Sequence, residues 1–112
     1  MSNLTPSEIV STLSTISREI DETTAELADL DFEQVTARQV FKRAYAESFL
    51  RTEGSMDVRR YTAELETSNL FFEYEVAEQK HRACVAHLKA LRDRLEVGRS
   101  IGALVRLEWS GA

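Results

Sequence analysis

Residues 74–97 read YEVAEQKHRACVAHLKALRDRLEV and contain neither proline nor glycine. From residue 70 onward, apolar or small side chains recur at alternating intervals of three and four residues. The positions are Leu70, Tyr74, Ala77, His81, Cys84, Leu88, Leu91 and Leu95. This spacing puts one stripe along one side of a helix, and over three heptads it is typical of helices that pair lengthwise.

The N-terminal half carries the same pattern. Thr5-Pro6-Ser7-Glu8 is a capping box with proline in the first helical position, so a helix is predicted to begin at about residue 6. Its stripe comprises Ile9, Leu13, Ile16, Ile20, Thr23, Leu27 and Leu30, and continues in phase through Gln34, Ala37, Phe41 and Ala44. Asp31 and Gln34 could cap a fresh helix and so place a kink near residues 29–32, but glycine and proline are missing there. We therefore predict one helix over about residues 6–52.

The turn signal lies at Glu53-Gly54-Ser55. Gly54 suits a left-handed position after a helix, and Ser55 suits the N-cap of the next. A second helix is predicted over about 56–97, with Val58, Tyr61 and Leu65 as its first stripe positions and a change of phase at residues 67–69. Two glycines, at positions 98 and 102, are expected to loosen this helix and leave a short helical tail over 99–109. Alternatively, their spacing permits a hinge or a tight crossing with another subunit.

The charges favour a hairpin. Residues 1–36 contain eight acids and one base, whereas residues 80–106 contain seven bases and two acids. A turn at residue 54 sets residue i beside roughly residue 108 − i, so the acidic segment 8–33 lies along the basic segment 75–100. The predicted fold is all-α, a single domain over residues 1–112. It is a long antiparallel two-helix hairpin with a short C-terminal helical segment, assembling into an oligomeric helical bundle.

Composition excludes several classes of protein. The single cysteine among 112 residues rules out an intrachain disulfide, and one proline with four glycines is too few for a turn-rich sheet protein. No apolar run approaches the ~20 residues of a membrane span, and the N-terminus does not resemble a signal peptide. We expect a cytoplasmic protein, in the host cytoplasm if it is viral, with no membrane partner and no cofactor.

Self-association is predicted because further apolar residues flank the stripes. They include Val10, Val40, Phe49, Phe71, Phe72, Val76 and Val85. One neighbouring helix cannot cover both the stripes and these flanks, and two hairpins in a four-helix bundle could. The residues predicted for the oligomer interface are Leu13, Ile16, Ile20, Leu27, Phe41, Phe71, Phe72, Leu88, Leu91 and Leu95.

The basic segment 80–106 has two interpretations. Its bases could pair with the acidic helix, or they could bind nucleic acid without reading sequence. The net charge of −5 favours pairing or a solvated face. The residues predicted to contact a partner protein or nucleic acid are Arg92, Arg94, Arg99, Arg106 and Trp109.

Metal chemistry is the least favoured hypothesis. Glu78 and His81 form a Glu-x-x-His pair, the spacing used by di-iron carboxylate bundles, but a second core glutamate is not apparent. His81, Cys84 and His87 are spread around the helix, and Cys84 fits better as a small core residue. We predict no catalytic residues and no enzyme activity.

Residues 61–109 resemble the C-terminal half of small, mostly uncharacterised helical-hairpin proteins of tailed bacteriophages. The resemblance lies in the Glu/Ala-rich stretch 73–83, in LKALRDRL at 88–95 and in EVGRSIG at 96–102. It implies a phage protein that acts on host or phage proteins of DNA metabolism, and it contributes no catalytic residues. The alternatives are a sequence-independent nucleic-acid-binding accessory protein of recombination and a ferritin-like metal-binding oxidase.

Overall fold

A computed structural model describes residues 4–111. These residues form three helices: α1 over Pro6–Arg51, α2 over Met56–Glu66 and α3 over Ser68–Ser110. The two long helices, α1 and α3, pack antiparallel. The predicted all-α class and the antiparallel pairing of long helices are therefore confirmed.

Helix α1 begins at the predicted capping box. The Thr5 N–H donates to Glu8 Oε2 at 3.0 Å, and the Glu8 N–H donates to Thr5 Oγ1 at 3.2 Å. These two bonds satisfy backbone donors that have no partner inside the helix. The helix then runs unbroken through residues 29–32 to Arg51, which confirms continuity at the point where a kink was the alternative.

The turn after α1 also follows its sequence signals. Gly54 has a φ of +121°, a conformation that glycine adopts at little cost and other residues do not. The Val58 N–H donates to Ser55 Oγ at 3.2 Å, so Ser55 is the N-cap of α2.

Helix α2 buries a different face from the predicted one. Val58, Tyr61 and Leu65 are 50%, 61% and 78% exposed, whereas Ala63 and Thr67 are buried. The prediction was wrong because it assigned the large apolar residues to the core, whereas the buried side chains of this region are small. Thr67 lies between α2 and α3, where its hydroxyl donates to the Ala63 carbonyl at 2.6 Å.

Helix α3 does not end near residue 97, and no separate tail helix exists over 99–109. It passes through both glycines because α1 lies against them. A Cβ at position 98 would lie 2.6 Å from Leu13 Cδ2, and one at position 102 would lie 3.2 Å from Ile9 Cγ2. The two glycines thus admit α1 side chains of the same chain. The alternatives of a hinge and of a crossing with another subunit stay predictions. Gly98 faces Leu13 and not residue 10, so the register lies three residues from the predicted one.

The chain divides into two compact units, each containing parts of α1 and α3. The terminal unit comprises residues 4–26 and 84–111, and the turn unit comprises residues 27–83 with all of α2. The buried apolar residues are few. They are Ile9, Cys84, Leu88, Leu91 and Val105 in the terminal unit, and Ala63 and Ala77 in the turn unit. Within the described range, no helix is long and apolar enough to cross a membrane.

Candidate interaction surface

A groove of the terminal unit runs between α1 and α3 beside Gly98, and we call it the Gly98 groove. It has a volume of about 680 Å³. Its lining residues are Ser11, Thr12, Thr15, Ile16 and Glu19 from α1, and Asp93, Arg94, Val97, Gly98 and Ile101 from α3. The two walls differ, since α1 contributes mainly small hydroxyl side chains and α3 contributes the bulkier apolar ones. Val97 is 58% exposed and Ile101 is 38% exposed.

A second groove of the terminal unit is more basic. This Arg106 groove has a volume of about 280 Å³ and is lined by Pro6, Ile9, Val10, Leu13, Arg99, Gly102 and Arg106. Leu13 and Ile9 occupy the space that the two glycines leave open, so they form its floor. Two guanidinium groups thus border an apolar floor.

The arginines predicted to bind a partner do not form one face. Arg99 and Arg106 line the Arg106 groove, and Arg92 precedes Arg99 by seven residues, which places all three on one side of α3. Arg94 lines the Gly98 groove instead. Trp109 lies in the last turn of α3 and is 60% exposed. The predicted contact set is therefore divided between two grooves and the C-terminal end of α3.

Ion pairs between the helices occur only in the turn unit among residues 4–111. Lys80 Nζ lies 3.5 Å from Glu33 Oε1, and His81 Nε2 lies 3.4 Å from Asp31 Oδ1. In the terminal unit Arg99 pairs with Glu96 of its own helix, and no α1 carboxylate of the described residues is within 4.0 Å of the four arginines. The acidic and basic segments lie side by side as expected, but most of the arginines are not neutralised by direct contact with α1.

An aromatic cluster holds α1 and α3 together in the turn unit. The Phe41 ring lies 5.1 Å from the Phe71 ring and 6.4 Å from the Tyr74 ring, measured between centroids. Tyr45 extends the cluster from Phe41 to Phe49. These rings are all within the range in which aromatic pairs attract one another.

Phe72 points away from this cluster. It is 65% exposed and lines a groove of about 660 Å³ between α1 and α3 of the turn unit. The groove also contains Phe32, which is 74% exposed, and Val40, which is 48% exposed. Phe71 and Tyr74 thus belong to the aromatic cluster, whereas Phe72 lies in a separate groove.

A polar network links α1 to the end of α2. The Ser48 hydroxyl donates to Glu66 Oε2 at 2.5 Å, and Arg51 Nη2 lies 3.0 Å from the same oxygen. The hydrogen bond from Ser48, together with the positive charge of Arg51, lowers the pKa of Glu66 below its ordinary value. The network stabilises the turn unit near the chain reversal.

The two candidate metal ligands already have protein partners. Glu78 accepts a hydrogen bond from the Tyr74 hydroxyl at 2.7 Å and one from Arg82 at 2.7 Å, while His81 lies beside Asp31. The bond to Glu78 also raises the pKa of Tyr74. Within residues 4–111, no three His, Cys, Asp or Glu side chains are grouped closely enough to hold a metal ion.

Cys84 lies inside the seam between α1 and α3. It is 7% exposed, and its Sγ lies 3.7 Å from the Thr23 carbonyl oxygen. Burial raises the pKa of this thiol, and the charge of Glu26 adds to the effect. A thiol in this setting is a weak nucleophile. His87 is exposed, so it does not share a site with Cys84.

The residues predicted for the oligomer interface occupy three kinds of position: buried, half-buried and exposed. Leu88 and Leu91 are 5% and 0% exposed, so the structure places them inside the chain and not on its surface. They are buried within the chain itself, and the assignment of the whole set to an oligomer interface stays a prediction. The half-buried positions are Leu13, Ile16, Ile20, Leu27, Phe41 and Leu95, and the exposed positions are Phe71 and Phe72.

Comparison of the chain with protein families, with curated proteins and with solved structures finds no match. The resemblance of residues 61–109 to helical-hairpin proteins of phages stays a prediction.

Proposed function

We propose that this chain is a non-enzymatic, homo-oligomeric helical protein that works by binding another macromolecule. One observation carries the proposal. Among the described residues, seven hydrophobic side chains are buried, whereas eighteen large hydrophobic side chains are exposed. Scattered exposed apolar residues are ordinary, but contiguous apolar grooves are typical of interaction sites. The Gly98 groove and the Phe72-lined groove are both of this kind.

A binding role, as opposed to an enzymatic one, is supported by what the polar side chains contact. Glu78 and His81 are engaged by Tyr74, Arg82 and Asp31, and Cys84 is buried with a raised pKa. Glu78 is thus engaged by side chains of its own helix, His81 lies beside a carboxylate of α1, and Cys84 is buried in the seam. This distribution disfavours the ferritin-like oxidase.

The pathway part of the proposal rests on the resemblance to phage hairpin proteins. The external partner we propose is a host or phage protein of DNA metabolism, met in the host cytoplasm. The exposed surface that remains for it includes the Arg106 groove and Trp109.

Native mass spectrometry of the purified protein tests this proposal, because one spectrum reports both subunit number and bound metal. The expected result is a metal-free dimer or higher oligomer at micromolar concentration. A monomer at that concentration would refute self-association. A stoichiometric metal ion that is lost in His81→Ala would refute the non-enzymatic reading and favour the oxidase.

A second candidate function, nucleic-acid binding, is favoured by the Arg106 groove. Arg92, Arg99 and Arg106 lie on one side of α3 without an ion pair to α1 among the described residues. Such a row could bind phosphates without reading sequence. Charge reversal at Arg99 and Arg106 should then abolish binding to single- or double-stranded DNA, while reversal at Lys42, an exposed base of the turn unit, should leave most of it. Binding that is absent at low salt, or that does not weaken as salt rises, would exclude this function.

A further inference from the structure

The walls of the Gly98 groove are unlike each other in size. Ser11 and Thr15 line the α1 wall, whereas Val97 and Ile101 line the α3 wall. A bulky wall needs small residues opposite it if two surfaces are to interdigitate. The groove therefore contains both halves of a complementary pair, arranged side by side on one surface.

The two helices of the terminal unit also differ in charge. The α1 segment, residues 4–26, contains five acids and one base, whereas the α3 segment, residues 84–111, contains five bases and three acids. Within the groove itself the charged side chains are Glu19 on the α1 wall and Asp93 and Arg94 on the α3 wall. A unit with one acidic and one net basic helix attracts a partner that presents the two helices in exchanged positions.

We propose that the Gly98 groove binds the Gly98 groove of a second copy of this chain, about a two-fold axis parallel to the helices. This inference rests on the self-association proposed above and assigns it a surface and an arrangement. Rotation about such an axis sets α1 of each copy against α3 of the other, which is the geometry of a four-helix bundle made from two hairpins. The contact is isologous, so it closes at two subunits.

The register within the chain sets which residues meet. Gly98 faces Leu13, and Gly102 faces Ile9. Rotation about an axis parallel to the helices does not shift residues along the helix direction. Val97 of one copy therefore lies near Thr15 of the other. Ile101 of one copy lies near Ser11 of the other by the same relation. Each bulky side chain thus enters the wall that has room for it.

The same arrangement sets Glu19 near Arg94. Glu19 lines the α1 wall, Arg94 and Asp93 line the α3 wall, and in the dimer the Glu19 of each copy lies within reach of the Arg94 of the other. A two-fold axis perpendicular to the helices would instead place the two acidic α1 segments of the terminal units against each other. Like-charge contact disfavours that alternative.

Lysine substitutions in the α3 wall test the surface. Val97→Lys and Ile101→Lys should each raise the dissociation constant of the dimer by about a hundredfold or more, because each dimer buries the changed residue twice. Val85→Lys is the matched control, since Val85 is 45% exposed and lies seven residues before Arg92, on the other side of α3. Sedimentation velocity over a range of concentrations gives the constant, and circular dichroism verifies that each variant is helical.

An exchange of charges tests the arrangement. Glu19→Arg and Arg94→Glu should each weaken the dimer, because each creates two like-charge contacts. The double variant should dimerise again, and an equimolar mixture of the two single variants should form a heterodimer. Dimerisation is restored both in the double variant and in the mixture only if the partner is a second copy with its α1 against α3.

The outcomes separate this inference from the proposed function. A wild-type protein that is monomeric at micromolar concentration refutes both. A dimer that persists in Val97→Lys and Ile101→Lys refutes the Gly98 groove as the dimer interface but leaves self-association standing, with the Phe72-lined groove as the other candidate interface. Loss of the dimer in these variants without rescue by charge exchange refutes the parallel axis.

Discussion

The terminal unit and the turn unit solve the same packing problem with different side chains. In the terminal unit α3 presents Leu88 and Leu91 to the seam and leaves space at Gly98 that Leu13 fills. In the turn unit the helices meet through aromatic rings centred on Phe41 and through polar contacts such as Ser48 with Glu66. One unit depends on close apolar packing, and the other on rings and charge-assisted hydrogen bonds.

The two units differ in how well the spacing of apolar residues in the sequence predicts which side chains pack between the helices. In the terminal unit, aliphatic side chains at three- and four-residue spacing specify the seam between α1 and α3. Around Phe71 and Phe72 the sequence pattern does not determine which ring is buried. In the structure Phe71 packs against Phe41, and Phe72 is exposed. Substitutions in the two units should therefore change the stability of the fold by different amounts.

The largest effect is expected from Leu91→Ala in the terminal unit. Leu91 is fully buried, so its truncation leaves a cavity and should lower the free energy of unfolding by about 3 kcal/mol. Leu107→Ala, at a position that is 69% exposed on the same helix, should change it by less than about 0.5 kcal/mol. Urea denaturation of both variants measures the difference. Equal effects at the two positions would contradict the placement of the seam.

A smaller effect is expected from Phe41→Ala in the turn unit. Phe41 is half-buried and contacts two rings of α3, so its loss should cost about 2 kcal/mol and reduce the near-ultraviolet circular dichroism of the tyrosines. Phe32→Ala removes a ring that is 74% exposed and serves as the control. If Phe32→Ala proved the more destabilising of the two at a concentration where the protein is monomeric, the aromatic cluster would be misassigned.

The smallest effect is expected from Glu66→Gln, and it depends on pH. The pKa of Glu66 is lowered in the folded chain, so its ionised form contributes stability above its ordinary value of 4.5. That contribution is lost as the pH falls through the lowered folded pKa. The wild type should therefore have the higher urea midpoint at neutral pH, and the difference should vanish in the range below 4.5. Glu64→Gln, which removes an exposed carboxylate from the same helix, is the control and should change the urea midpoint little at neutral pH.

Much of the fold could be predicted from the sequence, because its signals are local. The capping box at Thr5 and Glu8 begins α1, and Gly54 with Ser55 makes the reversal. The stripe from Ile9 to Ala44 keeps one phase, so it predicted both the length of α1 and the face turned to α3. Each of these features depends on residues within one or two helical turns.

The remaining features depend on the neighbouring helix. Glycine at position 98 lowers helix propensity locally, but Leu13 fills the space beside it, and α3 continues. The spacing of Val58 and Leu65 predicts a core stripe, but both residues are exposed. Ala63 and Thr67, which have small side chains, are the buried residues of that region. The division of the arginines between two grooves follows from seven-residue spacing, which could have been counted in the sequence.

The dependence of thermal stability on protein concentration tests the central claim most directly, because a chain that buries so little apolar surface by itself should gain stability from association. The thermal midpoint should rise by several degrees between about 1 µM and about 100 µM protein. The rise should disappear in Val97→Lys and persist in Val85→Lys. A wild-type midpoint that is the same at both concentrations, together with a monomeric mass, would contradict the account.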